Sequence, residues 1–220
     1  MNTPLLQLIG LTVAVAALFG GLAYWTSHRD TWRQRAIQGF AERTGWAYED
    51  AGPDFAWRLR RGTGVREAMV FAVEPSASQS SGSRAPAFTR CLLPAADGVH
   101  LLIQPRAVSA ALPPGLNPIP QMVGAAYSTA AAWPEVPGPE TLMGTFEFRA
   151  PDGGTIAPAL PAPAVDRMAK YATTPAQALP VVAIHDGRLV AVIPGRALWS
   201  PDEVEAFIGL CEALSSTAGK

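Results

Sequence analysis

The chain has 220 residues and a formal net charge of −1, with seventeen basic against eighteen acidic side chains. That balance argues against a nucleic-acid binder, which carries a basic excess or a basic stripe. Two cysteines without CxxC or Cys/His ligand spacing give no support for a zinc site, and no catalytic or cofactor motif emerges, so no cofactor, metal or enzymatic activity is expected.

Residues 1–27 carry no charged side chain, and residue 28 opens a basic cluster, His28-Arg29-Asp30-Thr31-Trp32-Arg33-Gln34-Arg35. Pro4 to Tyr24 is almost continuously apolar and, as a helix, reaches roughly the 30 Å of a bilayer's hydrocarbon core. A transmembrane anchor is expected over 1–27, with Tyr24 and Trp25 at the interface. A cleavable signal peptide competes, with Gly21-Leu22-Ala23 as a cleavage site. It lacks a basic n-region, however, and the apolar run is too long. No Lys or Arg precedes the helix, whereas Arg29, Arg33, Arg35 and Arg43 follow it. The expected orientation is N-terminus outside, with the C-terminal domain on the cytoplasmic side of an inner membrane. Gly10, Ala14, Ala17 and Gly21 share one helical face and offer a route to self-association. Abundant Ala and Gly explain the same stripe without it.

Thr31 to Thr44 has Trp32, Ala36, Ile37, Phe40 and Ala41 at helical spacing, so 28–44 reads as a juxtamembrane amphipathic helix ended by Gly45. Residues 45–220 then form one soluble domain. Trp46-Ala47-Tyr48, Phe55 to Leu59 and Val65 to Val73 read as strands, with Arg61-Gly62-Thr63-Gly64 as a turn. Arg58, Arg60, Arg61 and Arg66 straddle that turn as a solvated sheet face. Pro75 to Pro86 is a Ser/Gly-rich loop. Phe88 to Leu93 and Val99 to Gln104 flank Ala95-Ala96-Asp97-Gly98, which predicts a hairpin and an antiparallel meander.

Residues 106–141 hold seven prolines and no sustained periodicity, a long loop for a compact domain. One short helix over Gln121 to Ala132 fits within it. Leu142 to Arg149 resumes strand alternation, with Leu142, Gly144, Phe146 and Phe148 on one face, and Pro151-Asp152-Gly153-Gly154 turns the chain. Pro163 to Tyr171 reads as a short helix exposing Asp166, Arg167 and Lys170. Leu179 to Ile184 and Arg188 to Ile193 form a hairpin through His185-Asp186-Gly187. Ser200-Pro201-Asp202-Glu203 is a capping box for a last helix with Val204, Phe207, Ile208, Cys211 and Leu214 on its stripe. Strand runs with helices at the ends make the fold class α+β with an antiparallel sheet of hairpins and flanking helices.

Several short patterns dissolve on inspection. His28-Arg29-Asp30 starts like a kinase catalytic loop, but none of the loop's other residues follow and it abuts the apolar run. Gly62-Thr63-Gly64 lacks the third glycine of a dinucleotide fingerprint, since Glu67 stands there. His185-Asp186 suits an acid/base pair in type, yet turn residues explain it better. His100 is expected to face water. Cys91 near His100 across the 95–98 hairpin is the only Cys/His pairing that suggests itself, and a packed thiol explains Cys91 without it. Arg outnumbers Lys fifteen to two, which resembles GC-rich bacterial coding.

The strings Met143-Gly144-Thr145-Phe146-Glu147-Phe148, Ala183-Ile184-His185-Asp186-Gly187-Arg188-Leu189 and Gly45-Trp46-Ala47-Tyr48 carry a resemblance. Across residues 35–215 the chain resembles a loose group of uncharacterised bacterial single-pass membrane-anchored proteins with a soluble α+β domain. The resemblance implies an anchor and a fold, and it brings no activity and no functional residues. The expected function is binding of another membrane or cytosolic protein, or assembly, by a membrane-anchored cytoplasmic domain. The alternatives are a membrane-tethered enzyme or small-ligand sensor under the 106–141 loop, walled by Tyr127, Trp133, Glu135 and Glu140, or a periplasmic domain.

Overall fold

The computed structural model describes residues 3–52, 55–74, 86–107, 119–152, 160–173 and 178–216. The loop expected at 75–86 lies outside them except for Pro86, as do 108–118 of the proline-rich segment and Gly153-Gly154.

The anchor and the juxtamembrane helix expected separately are one element, α1, running unbroken from Thr3 to Thr44 over 42 residues. Nothing in 25–31 breaks a helix, because neither Gly nor Pro occurs there. Its described apolar side chains from Leu11 to Trp25 face outward, while Ile37, Phe40 and Ala41 enter the core. Among the described residues no helix is long and apolar enough to cross a membrane. The side chains of Pro4 to Gly10, part of the expected anchor, lie outside those described.

Gly45, at φ 74°, ends α1 and lets Trp46 turn back, its amide donating to the Ala41 carbonyl at 3.0 Å. The domain is α+β. Eight strands make one antiparallel sheet: β1 (Ala47–Glu49), β2 (Trp57–Arg61), β3 (Ala68–Val73), β4 (Phe88–Pro94), β5 (Leu101–Pro105), β6 (Phe146–Arg149), β7 (Val181–His185) and β8 (Arg188–Pro194). Among the described residues, the helices α2 (Ile119–Val123), α3 (Ala125–Ala130), α4 (Glu140–Met143), α5 (Ala162–Tyr171) and α6 (Pro201–Ser215) flank it.

The sheet order is β1-β2-β3-β4-β8-β7-β5-β6. The first four strands are the expected meander. The hairpin expected between β4 and β5 is not formed: Asp97-Gly98 turns the chain, but β8 and β7 lie between the two strands. The reason is burial. Every residue of β7 before His185 is buried, and so are Leu189 to Ile193 of β8, a pattern that needs cover on both faces. An edge position would leave that apolar surface in water. The centre of the sheet removes it, and β4 and β5 open to admit the hairpin.

Two layers cover the sheet. On one face, α1, α4, α5 and α6 pack on Trp57, Leu59, Val70, Cys91, Ile103, Phe146, Phe148, Val182, Ile184 and Ala191. On the other, α2 and α3 bring Ile119, Met122, Val123, Tyr127 and Ala130 onto Leu102, Val181, Ala183, Val190 and Val192. The proline-rich segment is therefore partly helical, with α2 and α3 where a single helix was expected. Leu142 belongs to α4 rather than to a strand, although it joins Phe146 and Phe148 in the core. Ser200 is the extended N-cap of α6, but its side chain makes no capping bond and Glu203 pairs instead with Arg196 at 2.7 Å.

The arginines of β2 are neutralised as expected of a solvated face. Arg58 and Arg60 both reach Glu49, Arg60 also pairs with Glu67, and Arg61 pairs with Glu212 while lying over the Trp46 ring. Beneath them, the Trp57 indole N–H donates to the Leu198 carbonyl at 2.9 Å, and the Leu198 amide donates to the buried Thr89 hydroxyl at 2.8 Å. These bonds fix the link from β8 to α6.

Cys91 and Cys211 are both free and fully buried, β4 against α6, as neighbours in one core. Cys91 is thus far from the His100 pairing considered from the sequence. Burial and the neighbouring Cys91 push the Cys211 thiol well above its ordinary range, and burial with Asp50 nearby pushes Tyr48 up to about 12. Unfolded, these groups lose their protons near about 8.5 and 10. Above those values the unfolded chain binds fewer protons than the folded one, so stability falls as pH rises. Urea unfolding followed between pH 7 and 10.5 should show a declining midpoint beginning above about pH 8.5; a flat profile contradicts the buried-thiol assignment.

Gly138 is buried with the Phe148 ring lying where a Cβ would stand. Gly138→Ala should cost about 1–3 kcal/mol by displacing that ring, read as a lower urea midpoint. Gly144→Ala, with open space at its Cβ position, serves as the control.

Candidate functional site

One cluster of chemically competent side chains stands on the α2/α3 face of the sheet, at its outer end. The β5–β7 ladder pairs Leu101 with Ile184, Leu102 with Ala183 and Ile103 with Val182. Extended one step outward, the same antiparallel register sets His100 opposite His185. Side chains alternate across a strand, so with Leu101 and Ile184 facing one core, both histidines face the other way. Directly opposed residues on one face have their Cβ atoms about 4.5–5.5 Å apart.

The two imidazoles meet. Nδ1 of His100 lies 2.9 Å from Nδ1 of His185, with ring centroids 4.9 Å apart. One ring donates and the other accepts, which fixes opposite tautomers for the neutral pair. The far nitrogen of His185, Nε2, is 3.3 Å from Asp186 Oδ2. Asp186 and Gly187 have φ values of 51° and 70°, the backbone of a two-residue type I′ turn, for which Asp-Gly is a favoured sequence. His100, expected to face water, is instead half-buried against its partner. His185 is more than the turn residue the sequence suggested, because it ends β7 and its ring is directed onto His100.

Trp133 closes the cluster from above. Its ring stands edge-on to both imidazoles, 6.0 Å from His100 at 73° and 5.6 Å from His185 at 74°. A buried ion pair holds it there. Glu147 is buried on β6 and pairs with Arg149, whose Nη1 donates to the carbonyls of Ala131 at 3.1 Å and Trp133 at 2.9 Å. Glu135 bridges to Arg149 through the backbone and pairs by its side chain with Arg106 at 2.6 Å. The cluster therefore gathers groups that can ligate an ion or carry a proton.

The chain matches no family model, no curated protein and no solved structure. Geometry and chemistry therefore carry the functional reading.

Of the four residues expected to wall a site under the proline-rich loop, only Trp133 reaches this cluster. Tyr127 is buried with its hydroxyl donating to Gln104 at 2.9 Å, Glu135 is engaged by Arg106, and Glu140 is exposed at the start of α4. A separate cavity of about 510 Å³ lies between α5 and α6. Charged groups (Asp166, Arg167, Lys170, Arg196 and Glu203) ring it, while Pro163, Tyr171 and Ala206 help to make much of its wall apolar.

The histidine cluster lies at the end of the sheet remote from the α1 apolar stretch. From the Asp186 turn, β8 runs away to Pro194 and the chain continues to Trp199, where Arg33 of α1 sits 5.6 Å over the indole.

Arg149→Met should strand the carboxylate of Glu147 and two carbonyls, costing about 2 kcal/mol or more of stability. Adding Glu147→Met should return part of that loss. A double variant no more stable than Arg149→Met alone contradicts the ion pair's positioning of the Trp133 turn.

Proposed function

We propose that this chain is a single-pass membrane protein whose cytoplasmic α+β domain binds another membrane or cytosolic protein, or organises an assembly, at the membrane face. The observation that carries the reading is the character of α1. Its last turns are core, yet Leu11, Val13, Val15, Leu18, Phe19, Leu22, Tyr24 and Trp25 are exposed, Leu18 by 72% and Phe19 by 68%. Each large apolar side chain left in water forfeits about 1.5–3 kcal/mol that burial would return. A helix projecting from a domain with an all-apolar surface is stable when lipid takes the place of water.

The uncharged run before it in sequence supplies the remaining length of a span. Tyr24, Trp25 and Trp32 interleave with His28, Arg29 and Arg33, and Arg29 lies 5.6 Å over the Trp25 ring. Such a belt of aromatic and basic groups suits the headgroup layer, and the arginines following the apolar run favour a cytoplasmic domain. Self-association through Gly10, Ala14, Ala17 and Gly21 is compatible with this anchor and would bring two domains side by side.

A second reading, a membrane-tethered sensor of a small ligand, is favoured by one observation. Trp133, from the segment after α3, roofs the paired histidines.

Alkaline phosphatase and a fluorescent protein, each fused after Lys220, test the anchor and its direction. The proposal expects both fusions in the membrane fraction after carbonate extraction, with fluorescence and without phosphatase activity. Release by carbonate removes the anchor. Phosphatase activity reverses the orientation and makes the periplasmic reading the leading one.

A further inference from the structure

We propose that His100, His185 and Asp186 form a binding site for a divalent transition-metal ion of the zinc type. One ligand atom from each of the three lies within 4.8 Å of the others. Imidazole is a preferred ligand of zinc, copper and nickel, and two imidazoles with one carboxylate leave a fourth position for water.

The scaffold argues for a built site rather than a chance meeting. His185 ends β7 and His100 immediately precedes its neighbour β5, so the β5–β7 ladder sets their separation, and sites anchored on strands are held more closely than sites on loops. Zinc–imidazole bonds of about 2.0–2.1 Å place two nitrogens of a tetrahedral ion about 3.3 Å apart. The Nδ1 atoms, now 2.9 Å apart, lie near that spacing, and to bind an ion both rings turn so that their lone pairs leave each other and converge on it. Asp186 has the freedom to complete the set, because its side chain is 79% exposed and its backbone is held by the hairpin turn.

The surroundings fit the same purpose. The Trp133 indole packs nearly perpendicular to both rings, which limits water on that side, and its carbonyl accepts from Arg149. Neighbouring groups of this kind orient metal ligands and tune affinity. The site also faces away from the end of the domain that α1 enters, so an ion or a metal-bearing partner approaches from the side opposite the apolar helix. This inference rests on the domain alone and does not depend on the membrane reading.

The test uses the tag-free full-length chain in detergent, stripped with a chelator and dialysed against zinc at micromolar concentrations. One zinc per chain is expected, with His100→Gln and His185→Gln each weakening binding at least tenfold and Asp186→Asn weakening it less. Melting curves in chelator show whether each variant still folds. If a histidine variant does not fold, cobalt(II) in the wild-type chain decides. Intense visible bands of four-coordinate ligation support the site, and weak six-coordinate bands overturn it. Absence of stoichiometric zinc, or unchanged affinity in folded His100→Gln and His185→Gln, also overturns the proposal, the latter by putting the ion elsewhere.

Discussion

The hairpin of β7 and β8 is buried on both faces, and most of the domain is arranged to satisfy that requirement. Its strands are apolar from Val181 to Ile184 and from Leu189 to Ile193, so neither face tolerates water. Helices must therefore lie above and below it, and other strands must flank it. The α1/α5/α6 layer, the α2/α3 layer and the parting of β4 from β5 all follow from this constraint. The polar turn of the hairpin protrudes beyond the covered region. It is there that His185 and Asp186 stand, with β5 bringing His100 alongside. The candidate site thus stands at the polar tip of a strongly apolar hairpin.

A second constraint is serial rather than layered. One helix has two parts: from Leu11 to Trp25 its described side chains are exposed and mostly apolar, and its last turns contribute Ile37, Phe40 and Ala41 to the core. No break separates the two parts of this helix. Arg33 over Trp199, and the indole of Trp199 donating to Glu74, mark where the helix meets the domain. The cluster of histidines and the projecting helix occupy opposite ends.

What the sequence revealed was mainly local. The apolar run, the stripe of α6, the Pro-initiated α5, the alternation of β2 to β4 and the Asp-Gly turn of the last hairpin are written in neighbouring residues. What it concealed was partnership between strands. Asp97-Gly98 is a genuine turn, yet a turn signal says nothing about whether the strands on either side pair with each other. The uninterrupted apolar character of Val181 to Ile184 was the available clue to a central position, and it outweighs the local hairpin signal. Without that order, His100 and His185 have no reason to meet, and Cys91 looks closer to His100 than to Cys211. The ion pair of Glu147 and Arg149 was equally hidden, since two charges in an alternating strand read as a solvated face until the 131–135 turn is seen to cover them.

The insertion of β7 and β8 between β4 and β5 is the claim on which the fold and the histidine cluster both rest. Its most direct test is a cross-link at the predicted pair: His100→Cys with His185→Cys, in a chain whose own cysteines are changed by Cys91→Ala and Cys211→Ala. After mild oxidation, mass spectrometry of the digested protein should recover the peptide joined through positions 100 and 185, because opposed strand residues bring their Cβ atoms close to disulfide range. A folded chain whose two new thiols stay unjoined would contradict the sheet order and remove the site with it.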